Sequence, residues 1–131
     1  MSSVTTRQHK TSNPYEAKFG YSRAVRKGPF IFVSGTTSID LQTGKVLFPD
    51  SAYDQAKKIL SEIIIAIEAL GGTKRDVVRL RLFVKNESEC DEVGRAMEDD
   101  FGTVGPAATM ICVGFVSPDM RVEIEADAVV M

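Results

Sequence analysis

The chain predicts an α+β fold, a mixed six-stranded sheet with two helices on one face. Three observations carry this expectation. Ala56, Ile59, Leu60, Ile63, Ile67 and Leu70 recur at three- and four-residue steps, which is the spacing of one apolar helix face. Residues 77–84 and 121–131 alternate apolar with charged or polar side chains, the period of two expected of a half-buried strand. Helical and strand-like runs then succeed one another as β-β-β-α-β-α-β-β, an order that folds as a helical layer on one sheet.

Residues 1–18 read as an N-terminal tail and residues 19–131 as a single domain. The tail carries Arg7, Lys10 and Lys18, several Ser and Thr, and Glu16 as its one acid, a faint likeness to an organellar transit peptide. Tyr21–Val25 and Phe30–Gly35 read as a hairpin turning at residues 26–28. Asp40–Gly44 has turn chemistry, and residues 45–48 read as a short edge strand. Asp50 or Ser51 can cap the long helix, and Gly71-Gly72 can end it.

In the strand at 77–84, Val78, Leu80, Leu82 and Val84 are assigned to the helix side, and Arg79, Arg81 and Phe83 to the other side. Ser88 and Asp91 resemble a capping pair for a second helix that packs Val93, Ala96, Met97 and Phe101 and ends at Gly102. The open face is expected to carry Ala108, Met110 and Cys112 from the next strand and Glu123, Glu125 and Asp127 from the last.

Composition excludes several functions. The 131 residues fit one domain with a real core, and the net charge of −2 argues against broad electrostatic binding of nucleic acid. His9 is the only histidine, and Cys90 and Cys112 are the only cysteines, so neither a zinc cluster nor a histidine-based triad is expected. The apolar run at 63–67 is far too short to span a bilayer. A soluble, cytoplasmic protein is expected, with mitochondrial import as the alternative.

An open sheet face holding both charged and apolar side chains is too mixed for solvent alone. A second copy of the same face can cover it, so a closed homo-oligomer is expected. Arg79 and Arg81 are candidate partners for the three acids, because lone buried carboxylates are costly.

Phe32-Val-Ser-Gly-Thr-Thr37, Pro106-Ala-Ala-Thr-Met110 and Val122-Glu-Ile-Glu-Ala126 closely resemble the signature segments of the Rid family, also called YjgF or reactive intermediate deaminases. The resemblance spans nearly everything from Phe19 to Val130. It implies a chorismate-mutase-like fold, a homotrimer whose sheets form a central barrel, and small-metabolite clefts between subunits. Its best-studied members hydrolyse enamines and imines to 2-oxo acids and ammonia with no metal or cofactor.

In those members an arginine after Pro-Ala in the penultimate strand pairs with the substrate carboxylate, a task suited to a planar, bidentate guanidinium. Ala108 stands there in this chain. The resemblance also places Tyr21 near the cleft, Ser34 and Gly35 in its lining loop, Thr109 and Met110 beside Ala108, and Glu123 where an acid positions water. For Glu123, a structural ion pair is the competing reading.

Arg81 is a candidate to bind an anionic ligand in place of the missing arginine. Cys112, without a neighbouring histidine, reads as a small buried residue, and Cys90 as incidental. Three functions follow: a metabolite-binding trimer without standard 2-imino acid deaminase activity, a metal-free imine deaminase or related hydrolase using Glu123, and, more weakly, an endoribonuclease or translation inhibitor.

Overall fold

The computed structural model describes residues 5–131. Six strands, β1 (Thr6–His9), β2 (Ala24–Lys27), β3 (Phe30–Thr36), β4 (Val77–Val84), β5 (Ala107–Cys112) and β6 (Val122–Val129), form one sheet in the order β1-β2-β3-β6-β4-β5. Only β4 and β5 pair in parallel, since a helix between them carries the chain back across the sheet. The helices are α1 (Pro14–Phe19), α2 (Ala52–Ala69) and α3 (Cys90–Phe101). The fold is α+β, with α2 and α3 packed together over one sheet face.

The core lies between those two layers. Ile59, Leu60, Ile63 and Ile67 of α2 and Val93, Ala96 and Phe101 of α3 meet Ile31, Leu80, Leu82, Val84, Val122 and Ile124 of the sheet, all buried. Each large apolar side chain so removed from water contributes roughly 1.5–3 kcal/mol. Ser51 caps α2 by accepting the Asp54 N–H at 3.0 Å, and Gly71 follows the helix at φ +88°, a left-handed conformation that glycine adopts without a Cβ penalty. The Leu70 carbonyl accepts from Arg7 at 2.9 Å and from Arg26 at 2.8 Å, so cations from β1 and β2 sit where the helix dipole favours them.

Among the described residues regular structure starts at Thr6, not at Phe19. The segment read as a tail supplies β1, paired with β2 from Thr6↔Lys27 to His9↔Ala24, and α1, capped by the Asn13 side chain accepting the Tyr15 N–H; residues 1–4 lie outside the described residues. The expected edge strand at 45–48 is instead a single bridge between Ile39 and Val46. The sheet thus keeps six strands with a different member. Periodicity could not find β1, because a four-residue polar edge strand has no apolar face.

Val77, not Val78, faces the core: Val77 is buried and Val78 is 47% exposed. A register shift between Val77 and Arg79 against β6 reverses the alternation at that point. The expected capping pair at Ser88 and Asp91 does not form either. A 3-10 turn at Glu87–Glu89 leads straight into α3, with no side-chain cap on the helix.

Candidate functional site

The open sheet face ends in a polar corner where β3 and β6 part. Pairing between them shifts register between Val33 and Thr36, so Ser34 and Gly35 leave the regular ladder. Ser34 is fixed there, its hydroxyl donating to the Ser22 carbonyl at 2.7 Å and its N–H to the Arg23 carbonyl at 2.9 Å. Gly35 leaves room for Glu123: a Cβ at position 35 would lie 2.2 Å from Glu123 Oε2 and 3.1 Å from Cδ. A Cβ there would oblige the Glu123 carboxylate to swing aside, so this placement of the carboxyl depends on glycine at 35.

Glu123 stands opposite Phe83 of β4, with its backbone fixed by the ladder and its side chain half-buried. Burial pushes its carboxyl above the ordinary value; the Arg23 charge opposes this and Glu125 adds to it. A carboxyl so perturbed, beside a concave surface, is suited to holding or passing a proton.

Arg23 was not singled out by the sequence, which placed it only within a strand. It is buried, with its guanidinium 5.4 Å from the Tyr21 ring centre and Nη2 donating to the Tyr21 hydroxyl at 3.2 Å. Its Nε lies 3.6 Å from the buried Glu16 carboxylate, which also accepts from the Thr11 N–H and hydroxyl. Tyr21, Arg23 and Glu16 therefore form one linked group, and the Arg23 charge reaches Glu123. The Tyr21-x-Arg23 spacing, two residues on one side of an extended segment, was the available signal.

Beside Glu123 lies a groove of about 430 Å³ lined by Tyr15, Phe19, Gly114, Phe115, Val116 and Met120. One wall is α1, where Tyr15 and Phe19 stack one turn apart with ring centres 6.1 Å apart. The other is the segment leading to β6, held by the fully buried Gln55. Gln55 donates to the carbonyls of Asp119 at 2.8 Å and Leu47 at 3.2 Å, and accepts the Arg121 N–H at 2.9 Å. Arg121 adds a bond to the Pro49 carbonyl and an ion pair with Glu89 at 2.9 Å.

The remaining candidates do not join this group. Parallel pairing sets Ala108, Met110 and Cys112 opposite Leu80, Leu82 and Val84, and Thr109 opposite Arg81. Ala108, Met110 and Cys112 therefore lie on the helix side of the sheet, contrary to the expected placement on the open face, whereas Thr109 and Ile111 face outward with Arg81 and Phe83. The expectation failed because alternation gives which residues share a face, not which face it is. Met110 packs against the core beside α3, Ala108 is exposed at the sheet edge, and Cys112 is exposed instead of buried.

Arg81 Nη1 lies 3.0 Å from Asp127 and 3.4 Å from Glu125, so its guanidinium serves acids of its own sheet and shares no face with Ala108. The expected pairing of Arg81 with the β6 acids is present, but Glu123 is not among its partners. Among the described residues no cluster of His, Cys, Asp and Glu could hold a metal ion, and no helix is long and apolar enough to cross a membrane.

The architecture and this corner define an α+β protein of the reactive intermediate deaminase type, with a carboxyl-bearing groove at one end of its sheet. The chain belongs to the Endoribonuclease L-PSP family, which matches residues 11–130 and is the Rid or YjgF family that the sequence resembles. It is 32% identical to an uncharacterized protein of Streptomyces coelicolor over 130 residues, 98% of this chain and 95% of that one. It is 30% identical to the 2-iminobutanoate/2-iminopropanoate deaminase of Escherichia coli K12 over 122 residues, 91% and 94% of the two chains. A Mycobacterium tuberculosis member of the YjgF/YER057c/UK114 family superposes with TM-score 0.86 at 36% identity, covering 96% of this chain and 100% of that one.

Proposed function

We propose that this protein is a homotrimer that binds a small metabolite in clefts between subunits and does not carry out standard 2-imino acid deamination. One observation carries the reading: Glu123 with Gly35 and Ala108 with Met110 lie on opposite faces of the same sheet. A single subunit cannot bring them to one ligand; a neighbour contributing its β5 edge to the Glu123 corner can. The open face supports assembly, since Phe30, Phe32 and Ile111 are about half exposed there and a second copy would cover them.

Ala108 offers a methyl group where the relatives' substrate carboxylate would meet a guanidinium. A bidentate charge-assisted contact cannot be replaced by an apolar one, and Met110 beside it makes the wall more apolar. The ligand class favoured is a small metabolite less acidic than a 2-imino acid.

A second reading has its own support. The Glu123 carboxyl, raised by burial and facing the groove, is placed to position water for hydrolysis of an imine-like substrate without a metal or cofactor, and relatives such as the E. coli protein bear the name 2-iminobutanoate/2-iminopropanoate deaminase. Ammonia release from freshly generated 2-imino acids separates the two, measured on wild type and Ala108→Arg after light scattering has established the assembly. Silence in the wild type with turnover in Ala108→Arg is the expected result. Turnover by the wild type that is lost in Glu123→Gln would overturn the binding reading in favour of the hydrolase.

A further inference from the structure

The two cysteines, 22 positions apart in sequence, meet at the far edge of the sheet. Cys90 is the first residue of α3 and Cys112 the last of β5, and their sulfurs are 3.9 Å apart. Rigid elements hold them there. Register with Val84 directs Cys112 to the face that α3 covers, and the Val113 N–H donates to the Val84 carbonyl at 2.9 Å just beyond it. Cys90 is tied into its helix start by a contact of 3.9 Å from its sulfur to the Asn86 carbonyl. The chain has no third cysteine, so no other thiol of the same chain competes for either one.

We propose that Cys90 and Cys112 form a reversible peroxide-oxidised site that closes into an intrachain disulfide between α3 and β5. In the single subunit Cys112 is exposed and Cys90 only partly so, which gives the two sulfurs different roles. The Cys112 sulfur attacks hydrogen peroxide, breaking the O–O bond and giving a sulfenic acid and one water. The Cys90 sulfur then attacks the sulfenic sulfur, forming the S–S bond and expelling the hydroxyl as a second water. Two thiols lose two electrons and two protons, one peroxide is reduced to two waters, and an external thiol reverses the bridge.

Burial and the Cys112 thiol push the Cys90 thiol up, with Glu87 and Asp91 adding to this. Cys90 is thereby a poor first nucleophile, since attack requires the thiolate, and its sulfur 3.9 Å from that of Cys112 gives it the resolving role by proximity. The sulfurs must come roughly 2 Å closer to reach bonding distance, a movement within reach of side-chain rotation. The bridge would bind the edge strand β5, whose one sheet neighbour among the described residues of the subunit is β4, to the helix above it.

The full-length protein, treated with a few equivalents of hydrogen peroxide and mapped without reduction, should lose about 2 Da and yield one cross-linked peptide joining Cys90 to Cys112, restored by dithiothreitol. Cys90→Ser should stop at the Cys112 sulfenic acid, trapped by dimedone, and Cys112→Ser should leave Cys90 titratable as a free thiol. The wild-type measurement needs no variant. Two thiols still free after peroxide, sulfinic acid at Cys112 without a bridge, or a disulfide between chains would each overturn the proposal.

Discussion

The Glu123 carboxylate occupies the volume that any side chain at position 35 would need, since a Cβ on Gly35 would lie 2.2 Å from Oε2. The restriction is steric and not conformational, because Gly35 is not among the glycines with positive φ. It ties the bulged end of β3 to the start of β6, and it fixes where the carboxyl meets the groove.

Gly35→Ala should therefore act through Glu123. The obstructing atom is the mobile end of a half-buried side chain, so the carboxylate should turn aside and the stability loss should stay below about 1 kcal/mol. In a Glu123→Ala background the same change should be close to neutral, a coupling readable from a double-mutant cycle by urea denaturation. Equal losses in both backgrounds would show that the alanine clashes with something else.

Stability should also follow the protonation of Glu123. Burial, opposed by Arg23, holds its carboxyl above the ordinary 4.5, so the native chain binds this proton more tightly than the unfolded one. The resulting stabilisation is complete below the unfolded pKa and is lost as pH rises through the folded pKa. Wild-type unfolding free energy minus that of Glu123→Gln should therefore fall as pH rises from 4.5, then level off. A difference that stays constant with pH would contradict this.

Arg23 and Glu16 are both buried, with side chains 7% and 3% exposed. Arg23→Met should destabilise the chain by about 3–5 kcal/mol by leaving the Glu16 carboxylate buried without its cation. Adding Glu16→Gln should recover part of that loss. Denaturant midpoints of the single and double variants provide the measurement, and a single-variant loss under about 1 kcal/mol would mean that Glu16 is adequately held by Thr11 alone.

Phe32 projects from the open face opposite Asp127 and is 51% exposed in the single chain. Phe32→Glu should leave the fold of the subunit intact while placing a third acid beside Asp127 and Glu125. Light scattering should then report a monomer in place of the proposed trimer, with circular dichroism unchanged. A variant that assembles as the wild type does would place any subunit interface on another surface.

The layout of helices and central strands was legible because long elements repeat their pattern several times. α2 and its C-cap Leu70 show six apolar residues at helical spacing, and β6 alternates cleanly from Val122 to Val129. Short or irregular pieces were not legible. β1 has four residues and no apolar face, and Val77 and Val78 exchanged roles at a bulge that no alternation rule announces. Tyr21, Ser34, Gly35 and Glu123 could be named from family-like segments, but Arg23, Glu16 and Gln55 could not, because their importance lies in partners distant in sequence.

The sequence by itself determined the α+β class, the two large helices, the single buried layer and the family, since these depend on local periodicity and on contiguous motifs. Only the tertiary structure decided that Ala108 and Met110 turn toward α3 while Glu123 turns away, that Arg81 spends its charge on Glu125 and Asp127, and that Cys90 lies beside Cys112. Periodicity groups the residues of one strand by face. Register between strands, set by hydrogen bonding across long sequence separations, decides which groups meet.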